Sequence, residues 1–359
     1  VVRIVALGAV LALALSACGG SSSKSGVGKP GQSSATTVLG KKGGAITIAA
    51  EQEISNWNIN TSADNCQWCS EVARLVYPQM YVQTPQITYV PGLVADGPAV
   101  VVKQNPFTVR WKIKQDAVWS DGVPVSSDDL EYYYLSCNGK VDPGEPVDPQ
   151  DPTATGRDCV DTTGYDQITK FTKIDQKTAE AVFSGPIAEY PSLFSNPMPP
   201  AHIAKTKGKD AWEKAFVTDP IVSAGPYKLK DYKKGESLTL ERNDKFTIAP
   251  PNLDTITVRF IKKDTAELDA LRNGEVDLIY PKPQTDSADQ IRDIPGVHYE
   301  FNIGPQWEHL TFNLRNAILA DPKVREAIST GVDRQDMVDR LIKPFNQKAT
   351  TLGNRIYMN

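Results

Sequence analysis

Histidine is almost missing from this chain: His202, His298 and His309 are all it has, and they lie far apart. No Cys/His string has ligand spacing, so no zinc site is expected and no metal or other cofactor is assigned. The hydrolase signatures are missing as well. There is no G-x-S-x-G and no H-E-x-x-H, and no spacing sets one carboxylate pair apart for acid–base work. No catalytic residue follows from the sequence, and an extracellular hydrolase is the weakest reading. Excess positive charge is also lacking. The 39 Lys and Arg are dispersed among 43 Asp and Glu, a net charge of -4, which argues against a nucleic-acid partner. Beyond Leu15 no segment is apolar enough to cross a bilayer, and no internal repeat is visible.

What is present begins at the N-terminus. Arg3 precedes an uncharged apolar run, Ile4 to Leu15, closed by Ser16-Ala17-Cys18. A positive start, a short apolar stretch and small residues at a boundary predict a secretory leader over residues 1–17. The Cys directly after the small residues resembles the lipobox of bacterial lipoproteins, in which this thiol is acylated and becomes the mature N-terminus. Cys18 is therefore the expected lipidation site. Two or more acyl chains would hold the protein stably on the outer face of the cytoplasmic membrane, where one chain holds only marginally. Residues 18–44, rich in Gly, Ser, Thr and Lys, read as a flexible tether. The G-x-G-x-x-G string at Gly26–Gly31 and the S-x-x-K string at Ser21–Lys24 fall inside it and follow from its composition, with no strand before them.

Four further cysteines, Cys66, Cys69, Cys137 and Cys159, allow three pairings in an exported protein. Cys66 and Cys69 form a C-x-x-C. A thioredoxin-like redox role would need a strand leading in and a helix starting at the first Cys, and residues 58–65 read as loop. A local structural disulfide is therefore expected, with Cys137–Cys159 closing a Pro/Asp/Gly-rich excursion and stabilising by roughly 3 kcal/mol.

Hydrophobic periodicity predicts strands at residues 45–50, 107–114, 237–242, 255–261, 276–279 and 310–313. Helices are expected behind Ser70 (residues 71–77), behind Ser126 with Asp129 completing a capping box, behind Asp264 up to Gly274, behind Asp321-Pro322 with Val324, Ile328 and Val332 on one face, and behind Asp333. Strand–helix–strand order points to a mixed α/β fold. The short stretch after Phe312 is too small to build a core of its own.

The run Val109–Asp129, with Trp119-Ser120-Asp121-Gly122-Val123-Pro124-Val125 at its centre, resembles the strand, turn and capped helix of the peptide/nickel family of extracytoplasmic solute-binding proteins of ABC importers. Ser223–Leu229 is similar to that family's Gly-Pro-Tyr turn, Asn273–Asp277 to its Gly-Glu-Val-Asp, and Asp321–Ile328 with Val332-Asp333-Arg334 to its Val-Arg-x-Ala-Ile…Asp-Arg helices. Physically these motifs are turns, caps and bends, and they are read as holding the fold.

The resemblance implies a periplasmic-binding-protein-like fold of two hinged lobes, with residues 45–304 as the first lobe and residues 305–359 as the hinge and the start of a second lobe that is only begun. It implies a monomeric receptor that captures oligopeptides and delivers them to an ABC permease, with nickel chelates, haem or another small solute as the alternative. Solute touching both lobes would favour the closed form by its differential affinity. The residues implied to meet solute are Asn65, Gln67 and Trp68 at the helix entry and Trp307 and His309 at the hinge, with Trp57 and Asn58 as weaker candidates.

Overall fold

The computed structural model describes residues 3–5, 42–62, 66–84, 88–93, 99–140, 157–208, 210–246, 248, 250–281, 285–299 and 309–351. In chain order the strands are β1 (Arg3–Val5), β2 (Ala45–Ala50), β3 (Tyr81–Gln83), β4 (Tyr89–Pro91), β5 (Val100–Gln104), β6 (Phe107–Lys112), β7 (Ile168–Asp175), β8 (Thr178–Phe183), β9 (Tyr227–Lys233), β10 (Ser237–Arg242), β11 (Thr255–Phe260) and β12 (Val297–Tyr299). The helices are α1 (Gln67–Val76), α2 (Ser127–Cys137), α3 (Ala201–Lys207), α4 (Ala211–Lys214), α5 (Asp264–Asn273), α6 (Thr285–Arg292), α7 (Pro322–Gly331) and α8 (Arg334–Leu341). The chain divides into two compact units, a larger one of Val10–Phe260 and a smaller one of Val1–Ala9 with Ile261–Asn359.

The larger unit holds two four-stranded sheets. One has the order β2-β11-β10-β9, with β2 parallel to β11 and the other pairs antiparallel. Alternation explains its inner face: Leu238 lies opposite Val258 and Leu240 opposite Ile256, all four buried, while the Thr and Arg between them stay wetter. The second sheet, β5-β6-β8-β7, is antiparallel throughout. Phe107, Val109 and Trp111 point inward from β6, and Arg110 and Lys112 point out. Ala181 and Ala179 face Val109 and Trp111 across the ladder, and their small side chains leave room for the indole.

Helix α2 lies on β7, β8 and α3. Leu130, Tyr133, Tyr134 and Cys137 form its buried stripe at three- and four-residue spacing. Tyr133 sits within 6 Å of the rings of Tyr165, Phe194 and Trp212, so the core of this unit is largely aromatic. Ser126 caps α2 in the expected box with Asp129. The Asp129 carboxylate accepts from Ser126 N at 2.8 Å, from Ala201 N at 2.9 Å and from Trp119 Nε1 at 3.4 Å. One buried carboxylate thus ties the α2 N-terminus to the Trp119–Val125 turn and to the start of α3. Burial pushes its carboxyl above the usual range, although the N–H groups of Ser126 and Ala201 pull it back. Beside it, the buried Lys177 amine donates to Ala117 O and Val125 O, bracing the same turn.

The Ser223–Tyr227 bend docks on the end of α1. Gly225 N donates to Val76 O at 2.8 Å, and a Cβ at Gly225 would meet Leu75 O at 2.5 Å, so only glycine fits this approach. Both family-like motifs therefore build the scaffold.

In the smaller unit α5 (Asp264–Asn273) ends at a Gly274 C-cap as expected, with Lys263 rather than Asp264 at the N-cap position. Strand β1 runs parallel to β12, Arg3 beside Val297. Asp321 and Asp333 cap α7 and α8 as expected, through Lys323 N and Asp336 N. The apolar stripe of α7 forms but is not buried: Ile328 is 37% exposed.

Three local expectations are corrected. The first helix is capped by Cys66, not Ser70, and starts at Gln67, because Cys66 Sγ accepts from Cys69 N and supplies the cap one turn earlier. Residues 276–279 form no strand, although Val276 and Ile279 are buried. Val276 and Ile279 satisfy burial without a ladder, and Leu278 makes only an isolated bridge. Residues 310–313 are not a strand either, and Leu310 is largely exposed.

Candidate functional site

Open α/β sheets bind ligands beyond the carboxyl ends of their parallel strands. Here that place is the end of β2 and β11, where Ala49 and Ala50 are fully buried and the chain emerges into Glu51-Gln52-Glu53, all partly exposed. Glu53 anchors this stretch: its Oε1 accepts from Tyr232 OH at 2.8 Å and from Gly235 N at 2.7 Å, on the β9–β10 hairpin. Burial, with the Glu53 charge beside it, pushes the Tyr232 phenol up to about 12, so it stays a donor.

The N-terminus of α1 comes to the same rim. Gln52 Oε1 accepts from Trp68 N at 3.4 Å, and Gln67 Nε2 donates to Glu71 Oε1 at 2.9 Å. Gln67 is half-buried, whereas Trp68 is only 6% exposed. Cys66 and Cys69 are bonded to each other, with Cα atoms 5.0 Å apart, and Cys137 is bonded to Cys159. The rim is thus a polar edge of amides and carboxylates over an apolar floor. It can offer hydrogen bonds to a polar backbone. Among the described residues no three His, Cys, Asp or Glu are placed to hold a metal ion, and no helix is long and apolar enough to cross a membrane.

Trp57 and Asn58 are buried, 1% and 0% exposed. Asn58 Nδ2 donates to Trp212 O at 2.7 Å, and Asn58 Oδ1 accepts from Asn60 N and Nδ2. Asn60 continues the ladder to Pro197 O and to Tyr133 OH, and Asn56 begins it at Glu213 O. In this arrangement the amide of Asn58 brackets the chain to α4 and has no surface left for a solute. His309 is exposed and belongs to the smaller unit. Asn65, Trp307 and Cys18 lie outside the described residues. The sequence reading passed over Gln52 and Glu53, whose signal is a polar triplet directly after a strand of small and branched residues.

The chain is 26% identical over 263 residues to the oligopeptide-binding protein OppA of Mycobacterium tuberculosis (strain ATCC 25618 / H37Rv), covering 72% of this chain and 42% of that protein. It is 25% identical over 339 residues to the oligopeptide-binding protein AppA of Bacillus subtilis (strain 168), covering 93% and 57%. Among solved structures, the periplasmic EDTA-binding protein EppA superposes with a TM-score of 0.74 at 28% identity, over 86% of this chain and 57% of that one. The chain therefore spans about half the length of the relatives it matches. Residues 88–357 fit the family described as bacterial extracellular solute-binding proteins, family 5 (Middle), and the chain belongs to that family.

Proposed function

We propose that this protein is an extracytoplasmic receptor that captures oligopeptides and hands them to an ABC-type permease. The observation that carries this reading is the rim itself: Gln52, Gln67 and the acids around them stand at the carboxyl ends of β2 and β11, in a family whose relatives OppA and AppA are named for oligopeptide binding. Side-chain amides bond main-chain groups of any sequence, which suits a receptor that is tolerant of peptide side chains. The proposal includes a second lobe beginning near residue 305, closure on solute, and acylation of Cys18 holding the receptor at the membrane.

The likeness to EppA favours a second reading, in which the solute is a chelator or metal chelate. Thermal-shift titration of the full-length protein separates the two. Stabilisation by four- to six-residue peptides and none by EDTA or nickel–histidine is the expected result. A shift with chelate alone would replace peptide by chelate as the solute. A shift with neither, at millimolar solute, would remove both.

A further inference from the structure

Solute capture makes no use of the bond between Cys66 and Cys69, yet its setting is unlike that of the other disulfide. Cys66 is the N-cap of α1, and its Sγ accepts from Cys69 N at 3.0 Å. A sulfur anion released at that position would keep this N–H and sit at the positive end of a helix with no acidic residue in its first turn. Cys66 is half-buried and packs on the cluster of Ile59, Cys69 and Ala73, in which Cys69 is fully buried. The other disulfide likewise pairs a fully buried cysteine, Cys137, with a half-buried one, Cys159, but Cys137 is the last residue of α2, at the negative end, where a sulfur anion is disfavoured. The helix start that a redox C-x-x-C requires is present. Among the described residues no strand leads in: residues 54–62 run through turns and the amide ladder.

We propose that Cys66–Cys69 is a thiol-exchange site for a dithiol reductant, while Cys137–Cys159 is a permanent crosslink. One thiolate of the dithiol attacks Cys66 Sγ, forming a mixed disulfide and releasing Cys69 as thiolate, which takes a proton. The second sulfur of the reductant then attacks its own partner in the mixed disulfide and releases Cys66 into the α1 cap. Two electrons pass to the protein with one proton, taken by Cys69, while Cys66 stays a thiolate and the dithiol's other proton goes to solvent; the dithiol leaves as a cyclic disulfide. The inference does not depend on which solute the rim holds.

The test equilibrates the full-length oxidised protein in buffers of graded reduced-to-oxidised dithiothreitol, traps free thiols by alkylation and assigns them by peptide mass spectrometry. Cys66 and Cys69 are expected to be half-reduced at a ratio at least roughly ten-fold lower than Cys137 and Cys159, a gap of about 30 mV for a two-electron couple. Joint reduction of the two bonds, or reduction of Cys137–Cys159 first, would overturn the proposal. A second variant checks the cause. Ser70→Asp places a negative charge in the first turns of α1 and should raise the ratio needed at Cys66–Cys69 several-fold. An unchanged ratio would remove the helix terminus as the reason for the exchange.

Discussion

At the scale of single residues, Asn58 and Gln67 carry the same side-chain chemistry and are put to opposite uses. The Asn58 amide is spent inside, on Trp212 O and on Asn60. The Gln67 amide stays at the rim, paired with Glu71. Removing the first strands a buried carbonyl and a buried N–H, which costs about 2 kcal/mol. Asn58→Ala should therefore lower the urea midpoint by that free energy while leaving solute affinity unchanged. Gln67→Ala should do the reverse: stability within about 0.5 kcal/mol, and peptide affinity lower by about 1 kcal/mol, roughly five-fold in Kd. Equal effects of the two variants on affinity would contradict the assignment. Sequence could not separate them. The string around Asn58 is polar and reads as loop, and only the tertiary partners on α4 and near Pro197 reveal it as a buried ladder.

At the scale of elements, the motifs that mark the family act as joints. Asp129 serves α2, the Trp119–Val125 turn and α3 at once, with three N–H donors on one carboxylate. Asp129→Ala should cost roughly 3 kcal/mol, because a lost cap and stranded buried donors act together. Asp129→Asn keeps one carbonyl acceptor and should cost about half as much. Chemical denaturation of both variants checks the order, and an Asn variant as unstable as the Ala variant would contradict it. The elements legible in advance were those with alternation, a branched run behind a turn signal, or a side-chain cap: β2, β6, β10, β11, α2, α7 and α8. Strand β7 escaped notice because most of its residues are exposed, and it lacks the alternating pattern. The start of α1 was misplaced because Cys66, not a hydroxyl residue, caps it.

At the scale of the whole molecule, the aromatic core sets the alkaline limit. Burial holds the phenols of Tyr77, Tyr133 and Tyr165 above their ordinary value near 10, and pushes Tyr81 and Tyr232 to about 12. A phenol raised in the folded state contributes stability that is whole below pH 10 and is lost as pH climbs from 10 through its folded value. Lys177 works the other way. Burial pushes its amine down, so the fold gains as pH approaches 10.5 from below. The tyrosines outnumber it, and the urea midpoint should fall steadily above about pH 10. A midpoint that rises there would show that the phenols are not held in this core.

The claim on which the functional account turns is that the full-length protein holds peptide without cleaving it. The most direct measurement is mass spectrometry of the solute released when natively purified protein is denatured. The account predicts intact oligopeptides of varied sequence. A single chelate in their place, or only free amino acids from added peptide, would contradict it.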